Sequence, residues 1–557
     1  MTIVSRFLWA VVAHTLAGTV AAQDAALAER RVDSLFSEYT KGVNPGLAVA
    51  VVRDGRKILS KGYGLASLEH RVPISPTTVF DVASVSKQFA GLAIAMLVQQ
   101  GRIKLTDDVR TYIPELSDAG HTITIDHLVH HTSGLRDWPG SLSLAGWRMD
   151  DVISFNQILT FAYNQRSLNF APGDEYTYSN TGYNLLAEVV ARVSGKSFRA
   201  WTDENLFRPL GMTSSHFHDD VTGMVPNRAF GYGRQPDGSF QSITNNLAAL
   251  GSSSLFTTVD DLARWIMNFD DPKVGGAAAM SLTRTRGKLN SGSAIPYAFG
   301  VVHGEYRGIP IVNHSGGWAQ FATFVLHFPQ QRFGVVVLAN SGSINAARAA
   351  YNIADIFLGA ELGARTEPTP SAIATAPVVA VAPAILDRYV GLYRLGSGWY
   401  VRVRRDGTLL RTQATREAEF PLSARSDTSF WVESYSSPMY FSSAASGPLE
   451  LLYRARRYPK LDEAAARSTQ ALAEFAGDYE STELGASYAI AVSDSGLVMR
   501  HRRHGTIALT HLWKDDFGSS MWFIRSLEFQ RDAAGRVSGF SVLIDERSRN
   551  LRFTKRR

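Results

Sequence analysis

Residues 81–97 read DVASVSKQFAGLAIAML, an apolar run headed by two serines and one lysine. The run predicts a long helix that closes near Gly101. Ser84 and Lys87 are three residues apart, so on a helix their side chains share a face and can enter one pocket. Ser86 lies about 100° round the helix from Lys87 and points elsewhere. A serine hydroxyl is a weak nucleophile until a neighbour takes its proton, and a buried lysine with a lowered pKa can do that. The free N–H groups of a helix start also favour developing negative charge. Taken alone, Ser-x-x-Lys is a common pattern, and the polar first turn of a buried helix accounts for it equally well.

Two distant segments make the pattern specific. PGDEYTYSNTGYNLLAEVV carries Tyr178-Ser179-Asn180 in a loop before a helix, and VNHSGGWAQF carries His314-Ser315-Gly316 on a strand followed by glycine. Ser-x-x-Lys, Tyr-x-Asn and His-x-Gly in this order are the three elements of a penicillin-recognising serine hydrolase. With LVHHTSGL at Leu128, LFRPLGM at Leu206 and LFTTVDDLARWI at Leu255, residues of about 30–360 resemble the class C β-lactamase, DD-peptidase and serine esterase superfamily. In layout the chain is most similar to the D-aminopeptidase-like members, which carry C-terminal β domains.

The resemblance implies roles. Ser84 is the acylated nucleophile, and Lys87 and Tyr178 form the proton-transfer system, with the first acceptor left open between them. Asn180 orients the substrate amide or the lysine. The oxyanion hole is the backbone N–H of Ser84 and of Gly317, beside Ser315 and Gly316. Trp318 follows that glycine in the sequence, a position that suits either the lining of the substrate site or an ordinary core tryptophan. The third motif departs from the Lys-Thr-Gly common in β-lactamases. A lysine is a fixed cation, whereas histidine ordinarily titrates near pH 6.5. His314 therefore predicts weak or pH-dependent recognition of a substrate carboxylate, which disfavours an efficient β-lactamase. The expected function is a peptidase or amidase acting on D-amino-acid-containing or cell-wall-derived peptides. A carboxylesterase or weak β-lactamase is the alternative within enzymes. A catalytically silent envelope-binding protein is the alternative outside them, and the intact Ser84, Lys87, Tyr178 and Asn180 set argues against it.

The expected fold class is α+β. PGLAVAVVRDGRKILSKGYGLAS reads as two strands joined at the Asp54-Gly55 turn. GIPIVNHSGGWAQFATFVLHFPQQRFGVVVLAN reads as three strands, with a turn at Pro329-Gln330-Gln331. Strands at both ends with helices between predict one antiparallel sheet flanked by helices and carrying a helical insertion. After a Pro-, Ala- and Thr-rich linker at 363–384, short strands and turns follow. LDRYVGLYR at Leu386 echoes LAEFAGDYE at Leu472, which predicts two small β units, each an up-and-down barrel of about eight strands. The domains are then 1–22 signal peptide, 24–362 hydrolase, 363–384 linker, 385–465 first β domain and 470–557 second β domain.

The N-terminus, with Arg6, an apolar run from about Phe7 to Val20 and small residues Ala21 and Ala22, is a secretory signal pattern, so a secreted or periplasmic location is expected. The run is short for a membrane span and His14 interrupts it. No cysteine is present, which removes disulfides and every cysteine nucleophile. His127, His130 and His131 lack zinc-ligand spacing, and no H-E-x-x-H occurs, so neither metal nor other cofactor is implied. No G-x-S-x-G elbow occurs, which counts against an α/β-hydrolase. The net charge of +6 lies in residues 371–557, with 26 Lys and Arg against 20 Asp and Glu. This suits an ordinary solvated surface or contact with anionic envelope polymers. No Lys/Arg cluster of a nucleic-acid-binding pattern appears. The expected partner is a small peptide, amide or ester substrate.

Overall fold

The computed structural model describes residues 25–364, 372–442, 449–461 and 469–556. The expected signal peptide, the linker residues 365–371 and the end of the first β domain after 461 lie outside these. No described helix is long and apolar enough to cross a membrane. The described residues divide into two compact units, 25–135 with 150–364, and 136–149 with 372–556.

The first unit is built on a six-stranded antiparallel sheet. From edge to edge its strands are Val302–Tyr306, Ile309–Trp318, Phe321–Phe328, Phe333–Ala339, Leu47–Arg53 and Arg56–Tyr63. The Asp54-Gly55 turn has φ of 49° and 72°, the paired left-handed conformation of a tight hairpin. The central strands show why LAVAVV and VVVL are apolar throughout. Ala48, Ala50, Val52, Val336 and Leu338 join one core cluster, while Val49, Val51, Val335 and Val337 join a second on the opposite face. The second cluster is closed by helix Ala346–Leu358. The first holds helix Lys87–Gln99, ten of whose thirteen residues are buried. That burial on all sides makes the helix read as an apolar run rather than an amphipathic stripe.

The second unit contains two β structures. Eight strands from Gly391–Gly396 to Arg456–Leu461 pair in sequence order and close into a barrel. Nine strands from Gly477–Ser481 to Leu551–Lys555 form a second sheet. Its two edges, Gly505–Ala508 and Thr510–Trp513, are separated in the chain by one residue, so the sheet curls almost to closure. The sequence echo has a local physical basis. Gly391 and Gly477 sit at φ 152° and 143°, backbone that side chains rarely adopt. The Tyr393 hydroxyl donates to the Tyr389 carbonyl at 2.8 Å, and the Tyr479 hydroxyl to the Phe475 carbonyl at 2.6 Å. Segment 136–149, which the sequence places inside the hydrolase domain, belongs to this second unit. Its fully buried Arg136 pairs with Glu483 at 2.8 Å, and the Tyr488 hydroxyl donates to the Leu144 carbonyl at 2.8 Å. Such long-range pairing has no local sequence signature.

Candidate active site

The opening stretch forms a 3₁₀ turn over Ala83–Ser86 that runs directly into helix Lys87–Gln99. Ala83 precedes the candidate nucleophile at φ 46°, a left-handed conformation that costs a non-glycine residue about 1 kcal/mol. The surroundings hold it there. The Ala83 N–H donates to the Asp81 carboxylate at 2.8 Å, and the Asn245 amide donates to the other Asp81 oxygen. Burial pushes the Asp81 carboxyl up to about 6.

The two serines separate by environment. The Ser86 hydroxyl is fully buried and accepts the Leu255 N–H at 3.1 Å, so it fastens the strand Leu255–Thr257. Ser84 is half-buried and faces Lys87, whose Nζ lies 3.1 Å from Ser84 Oγ. Lys87 itself is fully buried. Its Nζ also donates to Asn180 Oδ1 at 2.8 Å and to the Ser252 carbonyl at 2.8 Å. Both of those oxygens can only accept, so they occupy two N–H groups of the amine. Ser84 Oγ is within hydrogen-bond reach of the same Nζ, so a neutral amine there can take its proton and an ammonium can donate to it. Tyr178 lies alongside, its ring centroid 4.7 Å from Nζ. Asn180 is the first residue of helix Asn180–Ser194, which is why Tyr-x-Asn sits at a loop–helix junction.

The third motif lies on strand Ile309–Trp318. Its neighbour Val302–Tyr306 pairs only as far as Asn313, so among the described residues no strand flanks 314–318 on that side. Ser315 and Gly317 are exposed there, and Gly316 and Trp318 are half-buried. Gly316 is a close-approach glycine. A Cβ on it would lie 2.2 Å from the Val82 carbonyl oxygen, 2.3 Å from Thr323 Oγ1 and 3.2 Å from the Ser84 nitrogen. The Thr323 hydroxyl donates to the same Val82 carbonyl at 3.0 Å. The strand edge is thereby seated against the backbone of the serine turn.

The expectation for His314 needs correction. Its side chain is buried rather than presented to a substrate. Burial first, and the nearby Lys87 charge second, push its pKa down to about 3. It is therefore neutral at physiological pH, and does not titrate near 6.5. Its Nδ1 stands 2.7 Å from the Ser315 carbonyl, which can only accept, so Nδ1 carries the proton. Nε2 then accepts from the Tyr297 hydroxyl at 2.9 Å. Burial holds the Tyr297 phenol well above its usual pKa and keeps it a donor.

Tyr297 and Ser252 belong to no motif of the sequence pattern. Tyr297 heads the segment YAFG, whose Gly300 has φ 83°, and a Cβ there would lie 2.5 Å from the backbone of Lys87 and Gln88. The glycines of that segment and of the helix, Gly300 and Gly91, are the available sequence signal. His131 is the third addition. It is buried, its Nδ1 accepts the Ser179 N–H at 3.1 Å, and its ring lies 4.3 Å from that of Tyr178 and 4.4 Å from that of Tyr297. His127 caps its own short helix through the Thr124 N–H, and His130 meets the Thr285 carbonyl at 3.1 Å. The three histidines thus serve separate structural ends. Among the described residues no three His, Cys, Asp or Glu side chains are grouped to hold a metal ion.

Known proteins resemble this chain in sequence and in fold. Residues 32–358 match the family model described as Beta-lactamase. The protein flp of Staphylococcus aureus (strain MRSA252) is 31% identical over 328 residues, covering 57% of this chain and 63% of the relative. A D-aminopeptidase of Gluconobacter oxydans (strain 621H) is 28% identical over 348 residues, covering 62% of this chain and 64% of the relative. The matches thus span a little under two thirds of these relatives. Among solved structures, the octameric penicillin-binding protein homologue from Pyrococcus abyssi has the same fold, with a TM-score of 0.56 at 22% identity. That alignment covers 77% of this chain and 99% of the homologue. SurE aligns with a TM-score of 0.54 at 22% identity, over 79% of this chain and 100% of SurE.

Proposed function

The chain belongs to the Beta-lactamase family, and from that premise we propose that it is an exported serine peptidase or amidase acting on D-amino-acid-containing or cell-wall-derived peptides through a covalent acyl-enzyme. The observation that carries the hydrolase reading is Lys87 Nζ held by Asn180 Oδ1 and the Ser252 carbonyl, both at 2.8 Å, and 3.1 Å from Ser84 Oγ. The Ser84 proton passes to the Lys87–Tyr178 pair as Oγ attacks the substrate carbonyl carbon. The tetrahedral oxyanion is held by the N–H groups of Ser84 and Gly317. The pair then protonates the departing amine. Water repeats the sequence on the acyl-enzyme and releases the acid and Ser84. An extended substrate lies along the unpaired edge 314–318 beside Trp318.

The choice of substrate rests on charge. A neutral, buried His314 supplies no cation for a free carboxylate, which favours substrates uncharged at that end over penicillins and peptides with a terminal carboxylate. The D-aminopeptidase relative supports the peptidase reading. The same lack of charge also suits a neutral ester, so a carboxylesterase is the second reading. Export rests on the N-terminal signal pattern.

A fluorophosphonate label tests the nucleophile: wild type labels and Ser84→Ala does not. Equal labelling of Ser84→Ala would remove the assignment. A hydrolysis panel of D-amino acid amides, D-Ala-D-Ala peptides, nitrophenyl esters and nitrocefin then separates the readings. Turnover of the amides supports the first, and turnover of esters alone supports the second.

A further inference from the structure

The eight-stranded barrel is hydrogen-bonded all the way round, so its interior must be filled by side chains or occupied by something else. At one level it is filled. Tyr389 of the helix Pro383–Tyr389 stacks on Phe441 at 4.3 Å, and both meet Phe430 edge-on. Elsewhere the packing stops, leaving an open cavity of about 210 Å³. Buried Val401, Val432 and Met439 and the aromatic rings of Trp399, Phe420 and Tyr453 line it. At roughly 30 Å³ per water this is the volume of about seven waters, which suits a branched or aromatic side chain.

The same cavity is lined by two exposed groups of opposite charge, Glu417 and Arg454. Among the described residues neither has an ion-pair partner. Glu417 accepts a hydrogen bond from the Tyr435 hydroxyl. Arg454 lies over the Tyr453 ring at 5.3 Å, at the tip of a tight turn where its own φ is 47°. An apolar cup bearing one unpaired carboxylate and one unpaired guanidinium is complementary to an apolar body with an ammonium and a carboxylate at its head. We propose that this barrel is a binding site for a free amino acid with a branched or aromatic side chain. The side chain enters the cup, the ammonium meets Glu417 and the carboxylate meets Arg454. The proposal does not depend on the Ser84 chemistry.

Calorimetric titration of the full chain with leucine and phenylalanine, as both D and L forms, tests the proposal. At least one is expected to bind with a dissociation constant below about 10 mM. Arg454→Asn, which keeps a residue tolerant of positive φ, and Glu417→Gln should each weaken that binding by about tenfold or more. Glycine, 4-methylpentanoate and isoamylamine lack the side chain, the ammonium and the carboxylate respectively, and each should bind at least about tenfold more weakly than leucine. No binding by any of the four amino acids overturns the proposal. So does binding that Arg454→Asn and Glu417→Gln leave unchanged, or a single-charge analogue that binds as well as leucine. Both substitutions are at exposed positions, and an unchanged melting profile confirms that the barrel is intact in the comparison.

Discussion

Gly316→Ala is the most demanding test of how the site is assembled. The added Cβ would stand 2.2 Å from the Val82 carbonyl oxygen and 2.3 Å from Thr323 Oγ1. Real contacts of this kind rarely fall below about 3.2 Å, so the strand edge must retreat from the serine turn by about 1 Å. The Val82 carbonyl cannot yield easily, because it already accepts the Thr323 hydroxyl at 3.0 Å and leads into the strained Ala83. A displacement of about 1 Å at a reacting centre costs on the order of 100-fold in rate, which is about 2.7 kcal/mol of transition-state stabilisation. The loss should fall on acylation, measured as the pre-steady-state burst of nitrophenol from an ester that the panel shows to be turned over. Gly317→Ala is the control, since its Cβ would meet only the Phe321 carbonyl at 3.9 Å and leaves the N–H in place. If folded Gly316→Ala acylates within about threefold of wild type, or Gly317→Ala falls as far, the close seating of strand against serine turn is not what builds the oxyanion site.

Lys87→Met should lower acylation by about 10²–10⁴-fold, the span of a lost acid–base group, with labelling by fluorophosphonate as the readout. The ratio of rates on carboxylate-bearing and neutral substrates should stay flat from pH 6 to 8, because His314 gains its proton only as the pH falls towards 3. A ratio that drops across that interval would show a titrating His314. Tyr297→Phe leaves the buried His314 Nε2 without its donor, a cost of about 1–3 kcal/mol. If Tyr297 acts through His314, the phenylalanine change should have little further effect on kcat in a His314→Ala background, as a double-mutant cycle reads it. Asp81 is protonated more easily folded than unfolded, so its contribution to stability is present below pH 4 and lost as pH rises through about 6. Urea titrations at pH 4 and pH 7 should show Asp81→Asn free of that loss, which is on the order of 3 kcal/mol in the wild type.

Much of the site was legible because it is local or periodic. Ser84 and Lys87 are one helical turn apart, Tyr178 and Asn180 are two residues apart at a helix start, and the strands around Asp54-Gly55 follow from a turn dipeptide between apolar runs. The alternation of Val49 and Ala50 between two cores is implicit in a period of two. The repeat of Tyr393 and Tyr479 was visible as an echo, although the second β structure has nine strands and stops short of closure. Segment 136–149 groups with the second unit through partners, Glu483 and Tyr488, that lie more than three hundred residues away.

By itself the sequence determined which side chains are the candidates for the reacting set, since motif spacing places Ser84 within one turn of Lys87 and Tyr178 two residues before Asn180. It also determined the order of β and α segments. Only the tertiary structure decided the electrostatics. Whether a histidine is a cation depends on the water around it and on the charges within a few ångströms. His314 is removed from water and placed near Lys87, with Tyr297 donating to one nitrogen and the Ser315 carbonyl taking the proton of the other. Burial and the neighbouring charge raise the free energy of the protonated ring, so the residue that the motif presents as a titratable recognition group is a neutral support for the strand that faces Ser84.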